Sequence, residues 1–336
     1  MEKLGGFKVL KNVVRISLVS PSQTREVLSE CFRVIADEKI NLPYATFVFD
    51  DRAWGLNIAV ETGDADRALR LMENTFGQKS GHHPGSTILS LFPHKKNPEI
   101  TGALFEAFGR EGVKTDAMAN SPSAISIVLK ENVLNRASRA LFGPFKFSAY
   151  RTPADWKLAQ KGKEQLYKEV VASYQEQRPK VYGLEYQDHQ EFLRITLDHD
   201  RIGDFGTSFR EFARLGHNLT FLVTNPCEED GKETIAFCLP ITENSDYMRI
   251  VDKMAPQAET GGLAPVSTFS MNGPHFGDRY GIISELLISL EKGGVDLLGL
   301  SCTIASITGV VPSAQMTSAI EAIKGCFEVP SVVKRA

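Results

Sequence analysis

A four-residue phrase that recurs at matched spacing constrains this chain more than any other feature. Asp200-Arg201-Ile202-Gly203 leads through an amphipathic stretch to Gly216-His217-Asn218, and Asp278-Arg279-Tyr280-Gly281 leads through another to Gly294-Val295-Asp296. Both glycine-to-glycine distances are 13 residues, from 216 − 203 and 294 − 281. The chain contains an internal repeat. Between the paired glycines, Phe205, Phe209, Phe212 and Leu215 in one copy and Ile283, Leu287 and Leu290 in the other fall at helical spacing. Strand-like runs flank both: Phe192 to Leu197 and Leu219 to Thr224, then Thr268 to Met271 and Leu297 to Leu300.

A second match joins the two halves of the chain. Moved forward by 295 − 113 = 182 positions, residues 100–145 lie on residues 282–327 without a gap. Leu104 then meets Leu286, Gly112-Val113 meets Gly294-Val295, and Gly143 and Phe145 meet Gly325 and Phe327. The N-terminal part has the same order of signals: a strand-like Leu18-Val19, helical Glu26 to Ala36, strands Thr46 to Phe49 and Trp54 to Val60, and a helix from Asp64 to Glu73. The chain reads as four βαββα units of roughly 70 to 80 residues, a common size for small domains.

A D-R-x-G turn, a helix closing on G-x-[ND], a strand, a hairpin and a second helix resemble the ACT domain. That family implies a ferredoxin-like βαββαβ module that binds small molecules, usually amino acids, and regulates enzymes. The closer resemblance is to the tandem ACT region at the C-terminus of aspartate kinases, where a short leading strand pairs with the second module. Phe7 to Leu10 ahead of Val14 to Leu18, and Val181 to Glu185 ahead of Leu193 to Leu197, are similar to that device used twice. Ser121 to Ser126 resembles the family's second-strand region. The first two units depart from the turn signature, with Ser22 to Arg25 and Lys96 to Glu99 in its place. The resemblance implies an α+β chain of four tandem modules arranged as two pairs: residues 7–80 and 85–150, a helical linker at 151–180, then 181–260 and 265–330.

With 336 residues, 42% of them hydrophobic, the chain can bury several small cores. A formal charge of −3 creates no basic field, which argues against nucleic acid as a partner. No apolar run suits a signal peptide or a membrane helix, so a cytoplasmic protein is expected. The five cysteines lack C-x-x-C spacing and read as reduced thiols. Gly81-His82-His83-Pro84-Gly85 reads as an exposed linker rather than a metal clip, since metals need several convergent ligands. Thr152-Pro153-Ala154-Asp155 signals a helix start, and Trp156, Ala159, Leu166, Val170 and Tyr174 form a weak stripe for a connector helix ending at Pro179.

The search for catalytic motifs is negative: the chain has no phosphate loop, no dinucleotide fingerprint, no H-E-x-x-H and no nucleophile elbow. The kinase domain that precedes the ACT region in aspartate kinases is read as absent, so no enzyme, cofactor or metal is expected. The turn offers a binding site instead, because unpaired N–H groups at a helix start can hold a carboxylate. The candidate residues are His275, Asp278, Arg279, Tyr280, Gly281 and Ile282, with Ser301 and Thr303 on the next strand and Asp200 and Gly203 in the other copy. Asp278 or Asp200 would accept from a ligand ammonium. In the second unit, Pro98 removes a donor and Glu99 replaces glycine, so that site is altered or lost.

The leading expectation is a non-catalytic, amino-acid-sensing regulatory protein. The alternative is a ligand-free regulatory or scaffolding subunit of a separately encoded enzyme such as an aspartate kinase. An enzyme with a new site is the third reading. Expected partners are a small-molecule effector, with a partner enzyme and self-association left open.

Overall fold

The computed structural model describes residues 1–20, 25–49, 53–160, 178–198, 203–227, 231–241, 246–254, 265–274, 276, 279–304 and 306–335. A short strand β1 (Glu2–Leu4) precedes β2 (Gly6–Ser20), α1 (Arg25–Asp37), β3 (Tyr44–Phe49), β4 (Trp54–Glu61) and α2 (Ala65–Phe76). The second run is β5 (Gly81–Phe92), α3 (Pro98–Arg110), β6 (Ala117–Asn120), β7 (Ile125–Lys130) and α4 (Leu134–Leu141), followed by β8 (Phe145–Phe147) and α5 (Pro153–Gln160). The third is β9 (Gly183–Asp198), α6 (Phe205–Arg214), β10 (Phe221–Pro226), β11 (Lys232–Pro240) and α7 (Asp246–Met254). The fourth is β12 (Val266–Asn272), α8 (Ile282–Lys292), β13 (Gly299–Thr303), β14 (Ser306–Pro312) and α9 (Met316–Cys326), with β15 (Val332–Lys334) after it. The β-α-β-β-α order thus occurs four times. The matched segments 100–145 and 282–327 carry the same elements in the same order.

The fold is mixed α and β, built among the described residues on one large sheet of 13 strands that closes on itself through a β11–β9 pairing. Two long strands make the turns of this ring. Gly6 to Ser17 of β2 pair with β5, through a bulged register, and Val13 to Ser20 pair with β4 on the other edge. Likewise β9 pairs with β12 through Gly183 to Gln190 and with β11 through Gln190 to Asp198. Each leading strand therefore crosses to the second unit of its half, and its backbone groups are satisfied there rather than left at an open edge.

Side-by-side pairing, however, runs between the halves. β3 joins β13 through five residue pairs, Gly299↔Val48 to Thr303↔Tyr44, and β10 meets β6 at Val223↔Ala119. The expected pairing of 7–80 with 85–150 and of 181–260 with 265–330 is corrected to first with fourth and second with third. The cores follow the same division. One outer core combines Leu28, Phe32 and Ile35 of α1 with Ile283, Leu286 and Leu290 of α8, and another combines Leu104 and Phe108 of α3 with Phe209 and Phe212 of α6. A third consists of strand residues from all four units, including Val13, Tyr44, Ala59, Val128, Phe221, Val223 and Val310, and fills the ring. Each large apolar side chain so buried contributes roughly 1.5–3 kcal/mol.

The segment at His82 and His83 is a strand, not a linker. It belongs to β5, with Arg15↔His83 and Ile16↔His82 in register and a bulge that absorbs Pro84 and Gly85. His83 Nε2 lies 3.0 Å from Ser17 Oγ, and burial pushes its imidazole down to about 4. Among the described residues no three His, Cys, Asp or Glu side chains converge as a metal site. The start of α5 forms as its sequence implies: Asp155 Oδ2 accepts from Thr152 N at 2.9 Å and Thr152 Oγ1 accepts from Asp155 N at 3.2 Å. Trp156 stacks on Phe7, with centroids 4.8 Å apart. The rest of the connector stripe, Leu166, Val170 and Tyr174, lies outside the described residues. All five cysteines are free thiols. Among the described residues no helix is long and apolar enough to cross a membrane.

Candidate functional site

The start of α8 opens onto a cleft between the first and fourth units. Gly281, at φ 85°, occupies the left-handed region and turns the chain into the helix. Its neighbours Arg279, Ile282, Ile283 and Ser284 form one wall, together with Phe276 and Cys302. Phe32, Ile35, Ala36, Ile40 and Leu42 of the first unit form the other. The cleft is shallow: its free space comes to about 290 Å³ only when open solvent is counted, and the part closed off by its walls has room for about one water molecule. Its surface is apolar on the α1 side, and a cation stands on the α8 side.

That cation is engaged within the protein. Arg279 Nη2 donates to Glu285 Oε1 at 3.1 Å, one turn into the helix. Burial raises the Glu285 carboxyl above its usual range, and the Arg279 guanidinium opposes the rise. A carboxylate entering the cleft would compete with Glu285 for the same fork of donors. Replacing Gly281 with alanine puts the new Cβ at an ordinary 3.7 Å from Ala36 Cβ, so the strain is in the backbone rather than in packing. The expected cost is roughly 1–2 kcal/mol in unfolding free energy, measured by denaturant titration.

The other sequence-derived candidates divide. His275, Asp278 and Asp200 lie outside the described residues. Arg279, Gly281 and Ile282 meet at the cleft, and Tyr280 sits half-buried between them in sequence. Ser301 and Thr303 do not join them. Side chains alternate along a strand, so Leu300 and Cys302 of β13 face the helices and their neighbours face the ring. There the Ser301 hydroxyl donates to the Asn120 carbonyl at 3.2 Å, and the Thr303 hydroxyl donates to the Ser306 carbonyl at 3.2 Å.

Gly203 lies at a helix–helix contact. A Cβ on it would stand 2.9 Å from Gly109 Cα, and one on Gly206 would stand 2.7 Å from the Gly102 carbonyl oxygen. These four glycines bring α3 and α6 into backbone contact and close the seam that corresponds to the α1/α8 cleft. Arg210 spans the top, with Nε 2.9 Å from Glu99 Oε1 and Nη1 3.0 Å from Glu106 Oε2. In the second unit's turn, Asn97 caps α3 by accepting from Glu99 N at 3.0 Å, and Lys96 O accepts from Leu219 N. Sequence reasoning missed the α1 wall and Cys302. The alternation of β13 was the available signal for Cys302, whereas nothing local ties α1 to α8.

No family model matches the chain, and no curated protein matches it. Among solved structures it is similar to an aspartate kinase from Synechocystis, with a TM-score of 0.76 at 16% identity over 96% of this chain. It spans about 56% of that enzyme's length. Weaker likenesses to regulatory subunits of aspartate kinase from Thermus thermophilus and Thermus flavus, each 18% identical, reach TM-scores of 0.38 and 0.39. They cover 41% and 42% of this chain and 95% and 97% of theirs.

The match corrects the functional expectation. Almost the whole chain has its counterpart in an enzyme, so the readings of a non-catalytic protein and of a separate regulatory or scaffolding subunit are withdrawn, as is the reading that the kinase domain is absent. A motif search that finds no phosphate loop in a sequence does not separate the protein from an enzyme whose fold it shares. At 16% identity the likeness shows the fold, an aspartate-kinase-like α/β structure with a large sheet.

Proposed function

We propose that the protein works as an aspartate-kinase-type enzyme, one that transfers phosphate to aspartate, and that the fold described above is where a small effector acts on it. The observation that carries this reading is the structural match over 96% of the chain to such an enzyme. In this reading the four β-α-β-β-α runs are ACT-like modules, and the effector is a carboxylate-bearing molecule such as an amino acid. Its carboxylate meets Arg279 and the first N–H groups of α8, and its side chain meets Phe32, Ile35 and Leu42.

The test is nucleotide turnover by the protein, with and without aspartate, across a panel of amino acids. The expected result is ADP release that depends on aspartate and is altered by at least one amino acid. Arg279→Gln is expected to shift the effector's half-maximal concentration upward by roughly 10-fold or more, the equivalent of losing one charge-assisted hydrogen bond. Turnover that ignores aspartate would remove the enzyme assignment. Aspartate-dependent turnover with an unshifted Arg279→Gln response would move the effector away from this cleft.

A further inference from the structure

Four buried polar atoms lie near one another on the inner face of the ring, where the first three units meet; none has a protein partner at hydrogen-bond geometry, though the Thr46 hydroxyl neighbours the tyrosine. They are Arg15 Nε, Tyr44 Oη, Asp116 Oδ2 and Asn225 Nδ2. Tyr44 and Asn225 are 0% and 2% exposed, so solvent at the surface does not reach them. The register places Arg15 and Tyr44 on either side of one residue, since both pair with Ala59 of β4. Two strand spacings, roughly 10 Å, separate them, and only a methyl group stands between. Asp116 and Asn225 border the β6–β10 seam, whose ladder is the single pair Val223↔Ala119. Side chains supplement it: Met118 N donates to Thr224 Oγ1 at 3.0 Å and Asn120 Nδ2 to the Leu219 carbonyl at 3.1 Å, and further bonds tie β10 to the first unit. Asn225 Oδ1 accepts from Thr46 Oγ1 at 2.9 Å and from Asn57 Nδ2 at 3.1 Å, while Arg15 Nη1 donates to Asn57 Oδ1 at 2.8 Å. Asp116, Tyr44 and Glu233 are the groups whose charge acts on Arg15.

We propose that this is an internal hydration site, in which one or two water molecules bridge the first, second and third units through Arg15 Nε, Tyr44 Oη, Asp116 Oδ2 and Asn225 Nδ2. Buried polar groups in folded proteins are almost always satisfied, and ordered water is the usual partner when protein groups are not. The donor set selects the guest. Arg15 Nε and Asn225 Nδ2 can only donate, Asp116 Oδ2 as a carboxylate accepts, and the tyrosine hydroxyl does both. A metal or alkali cation would leave the two N–H groups bare and face the Arg15 charge, and an anion would face Asp116. Water serves every one of these groups at once.

The experiment is a crystal structure at a resolution that shows ordered water, together with denaturant unfolding of Tyr44→Phe. The map is expected to show a water within hydrogen-bond distance of at least three of the four atoms. Loss of the hydroxyl is expected to lower the unfolding midpoint, with a roughly fivefold larger unfolded-to-folded ratio, because a made hydrogen bond is removed. A dry site in the map overturns the proposal. So does a Tyr44→Phe midpoint that is unchanged or raised, which is the behaviour of a hydroxyl with no partner. If the variant does not fold, the wild-type map decides alone.

Discussion

Gly102→Ala and Gly206→Ala are each expected to destabilise the protein by about 3 kcal/mol or more, among the largest losses that a single added methyl can produce. A Cβ on Gly102 would stand 2.5 Å from the Gly206 carbonyl oxygen, and one on Gly206 would stand 2.7 Å from the Gly102 carbonyl oxygen and 2.9 Å from Glu106 N. The obstacles are backbone atoms of a packed helix, so they cannot rotate aside as a side-chain tip would. Relief requires α3 and α6 to separate, which pulls on the core that holds Phe105 against Phe209 at 5.4 Å. Gly63→Ala is the control, since nothing lies within 4 Å of the new Cβ. It should stay within about 0.5 kcal/mol of wild type. Denaturant midpoints for the three variants check the claim, and a Gly206→Ala protein as stable as the control would show that the helices do not need this contact.

The same glycines explain why the two seams differ. At α3/α6 the helices touch through their backbones and the strands beneath meet at one residue pair. At α1/α8 the side chains at the contact are Phe32, Ile35 and Ile282, the helices stand further apart, and the strands beneath run continuously through five pairs. The cleft is on the helix side of the second seam because bulky side chains hold it open there. An effector reading therefore applies to the α1/α8 seam, where the cleft is.

Much of the chain's organisation was legible because it depends on local periodicity. The 13-residue spacing and the 182-residue offset located the repeats, and the apolar runs at Phe7 to Leu10 and Val181 to Glu185 were long enough to read as crossing strands. Partner choice between units was not legible. It rests on Gly102, Gly109, Gly203 and Gly206, which in sequence look like tolerated helix or turn glycines and gain meaning only when two helices are superposed on them. The facing of β13 was hidden for another reason. Both of its faces are buried, so the alternation of Leu300 and Cys302 with Ser301 and Thr303 is present in the sequence but does not by itself say which face meets the helices. The absent motifs say little about function, because a fold can be shared with an enzyme at 16% identity.

Acid should destabilise the protein through His94, and a non-titrating residue at that position should remove this component. His94 is fully buried, with Nδ1 3.1 Å from the Ser121 carbonyl oxygen and Nε2 3.1 Å from Thr101 Oγ1. A carbonyl can only accept, so Nδ1 carries the proton and Nε2 accepts from the Thr101 hydroxyl. Protonating Nε2 would bury a charge and turn an acceptor into a second donor against that hydroxyl. Burial accordingly pushes the imidazole down to about 4, with the hydrogen bond to Ser121 only partly opposing it. The folded value is below the unfolded one of about 6.5, so the unfolded chain binds the proton first as pH falls. The contribution is complete above about pH 6.5 and is lost as pH drops toward 4. The fall from about 6.5 to about 4 corresponds to about 3 kcal/mol, since each tenfold change in proton affinity is about 1.36 kcal/mol. His94→Gln keeps a donor and an acceptor but does not titrate. Its unfolding free energy should start lower than wild type at neutral pH and fall less steeply between pH 6.5 and 4. Parallel pH curves for the two proteins would assign the acid sensitivity to other groups, with the half-buried His83 first among them.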